Sequence, residues 1–425
     1  MGTLRSQMDA ARRQDVAVHP IDNHGSGKPQ TAWVMLALLA TAEFLGMTLW
    51  FSATAAAPAI VSEFHLSTGQ AAWLTMAVQG GFVAGTLVSA LLNLPDLLAT
   101  RRLFALGCVT GAVATAALTR IQTPFEAIAL RLATGAALAW VYPTGMKIAA
   151  GWFQKRRGTG LGVLVASLTV GQAFPHLLAW IAPASSWRTR LLITAALAAI
   201  GAVVVLAAVR DGPYSTPTSR FDPRAAGRLF VNRRTRLAAF GYFGHMWELY
   251  AMWSWIGVFA AASLSAGGHV SASRASSLAA FIGIGTGAIG CLAAGLAADR
   301  MGRARVAGWA LKASGSCALL AGLVFGGPPA LLYTLIAIWG FVVVADSAQF
   351  SALIADYSGN YVGTALTVET CLGYLLTMVS IRLMPAIASV ASWQWVFLAL
   401  VPGPILGAVA MARLRALQRQ DHGGY

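Results

Sequence analysis

The sequence predicts an all-α membrane protein: twelve transmembrane helices in two six-helix, pseudo-symmetric halves. Three observations carry this. Apolar residues make up 57% of the 425 residues and charged residues 11%, less than half the ~25% charge usual in soluble domains. Apolar runs long enough to cross a bilayer recur along the chain. Matching features in the two halves of the chain stand a nearly constant distance apart.

The composition excludes a soluble enzyme, a disordered chain and a secreted disulfide scaffold. A lipid-spanning barrel would alternate apolar and polar residues, and these runs do not. Cys108, Cys291, Cys317 and Cys371 all sit in apolar runs and form no CxxC pair, so they read as small packing residues. The first 30 residues are polar and lack the apolar core of a cleavable leader.

The elements follow in order. A cytoplasmic tail, 1–30, precedes runs near 31–58, 68–94, 103–120, 124–149, 158–182 and 189–209, which form the N-terminal half, 31–209. The stretch 210–236 holds seven arginines and Pro213, Pro217 and Pro223, and reads as a cytoplasmic linker. Runs near 237–263, 275–298, 306–325, 328–355, 360–386 and 394–412 form the C-terminal half, 237–412, and 413–425 is a cytoplasmic tail.

The halves repeat. Trp50 and Trp253 lie 203 residues apart, as do Asp96 and Asp299. Gly135 and Gly340 lie 205 apart, Gly158 and Gly363 205, and Trp187 and Trp393 206. Five pairs in chain order point to duplication. Each copy has an even number of spans, so the copies share an orientation, with a cavity expected between them near the midplane.

Charge sets the topology. With the N-terminus inside, inner segments hold 22 of the 30 basic residues, densest at Lys155-Arg156-Arg157, in the linker, at Arg300/Arg303/Arg305 and at Arg413/Arg415/Arg419. Outer segments hold five, and Arg131, Lys147 and Lys312 lie within spans. Both termini are therefore expected on the cytoplasmic side of the membrane. The net charge of +15 then reflects loop residues meeting anionic headgroups rather than nucleic acid.

The sharpest motif is Gly295-Leu-Ala-Ala-Asp299-Arg300-Met-Gly302-Arg303-Ala-Arg305 between spans 8 and 9. It resembles the GxxxDRxGRR loop of the major facilitator superfamily. Gly295 is expected to let helices approach, Asp299 to reach the positive N-terminus of span 5, and Gly302 to permit a tight turn. The equivalent first-half loop keeps Asp96 but has Leu92, Leu97 and Ala99 where the family has Gly, Arg and Gly. Arg131-Leu-Ala-Thr-Gly135 looks like the family's RxxxG element. The resemblance implies for Arg131 either a structural ion pair or a role in proton coupling. Span 5 lacks the GPxxGG element of drug antiporters and reads Gly171-Gln172-Ala-Phe-Pro175-His176. Tyr142-Pro143-Thr-Gly145-Met-Lys147 and Gly244-His245-Met-Trp247-Glu248-Leu-Tyr250 resemble a bacterial branch near the nitrate/nitrite and cyanate permeases. Spans 2 and 8 lack the arginines of nitrate porters.

Four acids lie deep within spans, away from their ends: Glu43, Glu248, Asp346 and Glu369. Each must be paired, protonated or exposed to a wet cavity. Helix rise places Glu43 ~18 Å into span 1 and Glu248 ~16 Å into span 7. His245 and Glu248, three apart, share a helix face, and a carboxyl beside an imidazole suits proton transfer. Trp247, Tyr250, Trp253 and Trp255 offer flat surface for an organic solute; the alternative is an internal pair in a packing stripe. Asp346 and Gln349 offer polar groups in span 10. The candidate solute and coupling set is thus Glu43, Trp50, Arg131, Tyr142, His245, Glu248, Tyr250, Trp253, Asp346, Gln349 and Glu369, with Asp96, Gly295, Asp299, Arg300, Gly302 and Arg303 as gating loops. His176, Lys147 and Lys312 are minor candidates.

No GxxxxGK[ST] or HExxH stretch occurs, so neither ATP-driven transport nor metalloprotease chemistry has visible apparatus. The expectation is a non-enzymatic, cofactor-free, monomeric transporter. Its partners are a small molecule, protons and the bilayer, and it works by alternating access. A uniporter or efflux pump for amphipathic compounds is the alternative, and a non-transporting receptor or enzyme the alternative class.

Overall fold

The computed structural model describes residues 29–153, 157–214, 221–269 and 272–422. Most of the N-terminal tail, Lys155 and Arg156, linker residues 215–220 and the last three residues of the C-terminal tail lie outside the described residues. Among the described residues every regular element is a helix. Eleven helical stretches of the described residues are long and apolar enough to cross a membrane. One of them, Pro329–Ala391, has 63 residues, about 95 Å of helix at 1.5 Å per residue against a ~30 Å hydrocarbon core. The expected count of twelve requires this stretch to hold two spans, and Gly359, whose φ is +52°, lies within it.

The first half contains α1 (Pro29–Met47), α2 (Ser52–Phe64), α3 (Thr68–Leu91), α4 (Thr100–Ala117), α5 (Pro124–Leu138), α6 (Tyr142–Trp152), α7 (Arg157–Ile181) and α8 (Trp187–Ala208). The second contains α9 (Arg233–Ala266), α10 (Ala272–Met301), α11 (Arg303–Val324), α12 (Pro329–Val343), α13 (Ser347–Ser358), α14 (Val362–Ala391) and α15 (Pro402–His422). Local chemistry starts several of them. Ser67 and Gln70 form a reciprocal capping box on α3. Thr123 caps α5 with Pro124 in its first turn, Ser186 caps α8, and Asn232 caps α9. Span 1 is longer than its apolar run, because α2 continues to Phe64 and carries Glu63, which pairs with Arg188 at 2.5 Å.

Span 4 breaks between α5 and α6 and span 10 between α12 and α13, at positions that correspond at an offset of 205. The packing repeats at the same offset. A Cβ on Gly85 would stand 2.4 Å from the Ala136 carbonyl oxygen, and one on Gly290 would stand 1.8 Å from that of Phe341. Likewise Gly135 faces the Val78 carbonyl and Gly340 faces that of Gly283. Backbones this close leave no room for any side chain. These four glycines join spans 2 to 4 and 8 to 10 in one geometry. Gly295 does not act this way: a Cβ there would meet nothing within 4 Å. The close approach expected of it belongs to Gly287 and Gly290, earlier on the same helix.

Apolar side chains such as Val113, Leu323 and Leu406 face outward, as a lipid-facing surface requires. Lys312 lies beside a groove of about 530 Å³ between α11 and α15, on that outer side.

Candidate functional site

Span 1 is interrupted where α1 stops at Met47 and α2 starts at Ser52. The break frees carbonyl oxygens inside an apolar bundle, where each needs a donor. Arg131 supplies them. Its guanidinium donates to the carbonyls of Leu49 (3.1 Å) and Trp50, to that of Leu74 on α3 (3.1 Å), and to Ser52 Oγ (3.4 Å). Arg131 is fully buried. It forms no ion pair with an acid of the described residues and bonds to the backbone instead, which departs from the expected structural ion pair. The second half has Ile336 at the matching place and an unbroken span 7 in α9.

The break turns Trp50 and Phe51 to the seam between the halves. Trp50 packs against Phe82 at 5.3 Å, Tyr250 at 5.6 Å and Tyr374 at 5.7 Å between ring centroids. Phe51 meets Trp253 and Tyr250, both at 6.3 Å. The Tyr250 and Tyr374 hydroxyls are 3.0 Å apart, and Gln172 Nε2 donates to Tyr250 at 3.5 Å. Spans 1, 2, 5, 7 and 11 therefore meet in one aromatic cluster.

Unsatisfied polar groups surround this cluster. Glu43 and Glu369 are fully buried, and none of their four carboxyl oxygens has a hydrogen-bond partner. Glu43 Oε2 lies against Gly145, only 2.5 Å from where a Cβ would stand. Tyr142, first residue of α6, lies within Coulombic range of Glu43, Tyr250 and Glu369. Gln79, fully buried, lacks partners at both amide atoms, and Gln172 Oε1, Trp50 Nε1 and Trp253 Nε1 are also unpaired. Native interiors leave few buried polar atoms unsatisfied, so a concentration of them at one seam marks a site.

The second-half acids are arranged differently from the helical spacing. His245 Nδ1 stands 2.8 Å from Asp346 Oδ1, with the ring N–H off line, and both residues are buried. Glu248 instead accepts from Ser314 Oγ at 2.7 Å and Trp339 Nε1 at 2.8 Å, joining spans 7, 9 and 10. The expected Glu248–His245 pair is thus replaced by His245–Asp346 and a separately satisfied Glu248. Asp346 reaches His245 because it sits in the break before α13; Gln349 is buried one turn later. Trp247 and Trp255 donate to the carbonyls of Ala399 and Ile381, so of the four span 7 aromatics only Tyr250 and Trp253 belong to the seam.

The loops also divide. Asp96 meets Lys147 Nζ at 2.6 Å, and Lys147 donates to the Pro95 carbonyl at 2.9 Å; this contact stays within one half. Asp299 Oδ1 lies 3.7 Å from where a Cβ on Gly158 would stand, at the N-terminal turn of α7. It therefore faces the helix end expected for it, across the seam. Gly302 takes φ +87° in the turn before α11. Arg303 pairs with Asp356, and Arg300 is exposed.

Sequence reasoning missed Tyr374, Phe82, Gln79 and Gln172. The two glutamines carry a readable signal, an uncharged polar group inside an apolar run. Tyr374 and Phe82 carry none, since aromatics are common throughout these spans. Among the described residues no group of three or more His, Cys, Asp or Glu could hold a metal ion.

The family model described as Major Facilitator Superfamily matches residues 39–290. Over 177 residues the chain is 29% identical to the Hexuronate transporter of Escherichia coli (strain K12), covering 41% of this chain and 40% of that protein. Over 174 residues it is 29% identical to the Galacturonate transporter of Dickeya chrysanthemi, covering 40% and 50%. The chain thus spans half or less of the curated relatives it matches. The cargoes in those names differ from those of the nitrate/nitrite and cyanate branch that local stretches resemble. A solved structure of the nucleoside transporter NupG matches with a TM-score of 0.68 at 16% identity, covering 89% of this chain and 99% of that one; the two share a fold.

Proposed function

The chain belongs to the Major Facilitator Superfamily, and from that premise we propose that it is a proton-coupled secondary transporter of a small organic solute in a bacterial inner membrane. The observation that carries this reading is the set of buried polar groups with unpaired atoms at the seam: the carboxyls of Glu43 and Glu369, both amide atoms of Gln79, and Gln172 Oε1. A purely structural interface would pair them or replace them with apolar residues. A transporter keeps such groups free for its solute, and rocking of the halves admits solute from one side at a time. The aromatic cluster of Trp50, Phe82, Tyr250 and Tyr374 is the part of the seam that must separate. The basic residues favour both termini inside.

Proton coupling is assigned to His245 and Asp346, with Glu248 holding spans 9 and 10 in place beside them. An imidazole next to a carboxyl inside a bundle can exchange a proton whenever the pair meets water. The test is uptake into proteoliposomes with an imposed pH gradient. Asp346→Asn is expected to abolish gradient-driven accumulation and to keep solute exchange at equal pH. Full accumulation by that variant removes the coupling assignment. Flux indifferent to the gradient in the unaltered protein makes it a uniporter.

A further inference from the structure

We propose that the solute presents hydroxyl or amino groups to Glu43 and Glu369 and carries no carboxylate: a neutral or amino-bearing sugar ring, unlike the sugar acids named for the relatives. This deepens the transport reading and rests on it.

The acceptors at the seam are free, and its fixed positive charges are taken. Four carboxyl oxygens, from Glu43 and Glu369, lack partners, and so does the carbonyl oxygen of Gln172, whose amide nitrogen is already on Tyr250. Arg131 is held by the carbonyls of Leu49, Trp50 and Leu74. Lys147 is held by Asp96 and the Pro95 carbonyl. His245 faces Asp346. His176 keeps an unpaired Nε2, but its ring lies on Phe51 at 6.0 Å and contributes no permanent charge. Arg190 keeps an unpaired Nε, half-buried in a small cleft with Ser52 and Thr194, and Arg382, about 20 Å along α14 from Glu369, lies against Gly69. A solute carboxylate placed between Glu43 and Glu369 would therefore meet two carboxyl groups, with Arg131 and Lys147 already engaged elsewhere. Hydroxyl donors or an ammonium would satisfy those same oxygens.

The flat faces beside them suit a ring. Trp50 and Tyr250 are tilted by 33° and Phe82 and Tyr374 by 40°. Their apolar faces complement the C–H side of a sugar, while the unpaired polar atoms complement its rim.

One matched series tests this: D-galactose, D-galactosamine and D-galacturonate, which share a frame and differ in one substituent. Uptake of each is measured in proteoliposomes holding the full chain. The expected result is uptake of galactosamine or galactose and none of galacturonate. Glu43→Gln and Glu369→Gln are each expected to raise the half-saturating galactosamine concentration at least tenfold. Because either variant can fail to fold, a second measurement uses Gln172→Cys. Galactosamine is expected to slow its labelling by a membrane-impermeant thiol reagent, and galacturonate to leave it unchanged.

Galacturonate moving faster than the other two overturns the charge assignment and leaves the transport reading intact. Movement of none of the three also overturns the proposal. In that case the transport reading stands if the cysteine at position 172 can be labelled from either side of the membrane in turn, and falls if it is shielded from both.

Discussion

Arg131 illustrates why a buried charge need not be catalytic or paired with an acid. Its guanidinium offers five donors in a plane, and the break in span 1 presents carbonyls that match them. Arg131→Met would leave the Leu49, Trp50 and Leu74 carbonyls without this donor, at about 1–3 kcal/mol each. The expected outcome is a large fall in melting temperature in detergent, or loss of the folded fraction on size exclusion. Arg131→Lys is expected to fall between the two, since a compact ammonium cannot span the same carbonyls. A melting curve unchanged by Arg131→Met would remove the clamp. How residues read from sequence also depends on reach. Glu43 and Glu248 look alike, each a lone acid in an apolar run. One is unpartnered and the other holds two donors, and the difference lies in what Ser314 and Trp339 bring from other helices. Helical spacing put His245 beside Glu248. It could not reveal Asp346, which arrives from 101 positions away through a break in span 10.

Among the elements, spans 2, 4, 8 and 10 are set by glycine. Gly290→Ala would force a Cβ to 1.8 Å from the Phe341 carbonyl oxygen, and Gly85→Ala to 2.4 Å from that of Ala136. Backbone cannot yield there without parting the helices, so both are expected to lose most of their folded yield. Gly295→Ala has open space around it and is expected to keep or raise stability, by up to about 1 kcal/mol; fluorescence-detected size exclusion compares all three. The helix positions and the duplication were legible because apolar runs and repeated offsets are local or periodic signals. The helix breaks were not legible. Residues 48–51 are as apolar as their neighbours, and what stabilises the break is Arg131, far along the chain. The loop motif drew attention to Gly295, while the close approach fell to Gly287 and Gly290.

At the scale of the molecule, the seam carries the proposed activity, and the loop between spans 8 and 9 is the proposed latch at one end of it. Asp299 faces the first turn of α7, where a negative charge is favoured by about 0.3–1 kcal/mol. Asp299→Asn is expected to weaken closure at that face, seen as faster thiol labelling of Gln172→Cys from the loop side. Equal labelling rates would show that Asp299 does not hold the halves together. The exposed Arg303–Asp356 pair is a weaker tie, about 0–1 kcal/mol. The two-half layout was legible in the sequence; the partners across the seam were not, because nothing in either half records which of its polar groups the other half leaves unmet.

The carbonyl-over-glycine contacts lie wholly inside one half or the other, and so do the tethers on either side of the linker. Tyr214 donates its backbone N–H to Gly151, while the Asp222 backbone N–H reaches Thr364. A gene cut between the codons for Tyr214 and Phe221 would thus yield two polypeptides, each keeping its own tether and glycine stitching. Co-expressed, they are expected to find one another in the bilayer and co-purify through a tag on either fragment. Failure to co-purify, with both fragments inserted, would mean that the covalent connection itself holds the molecule together.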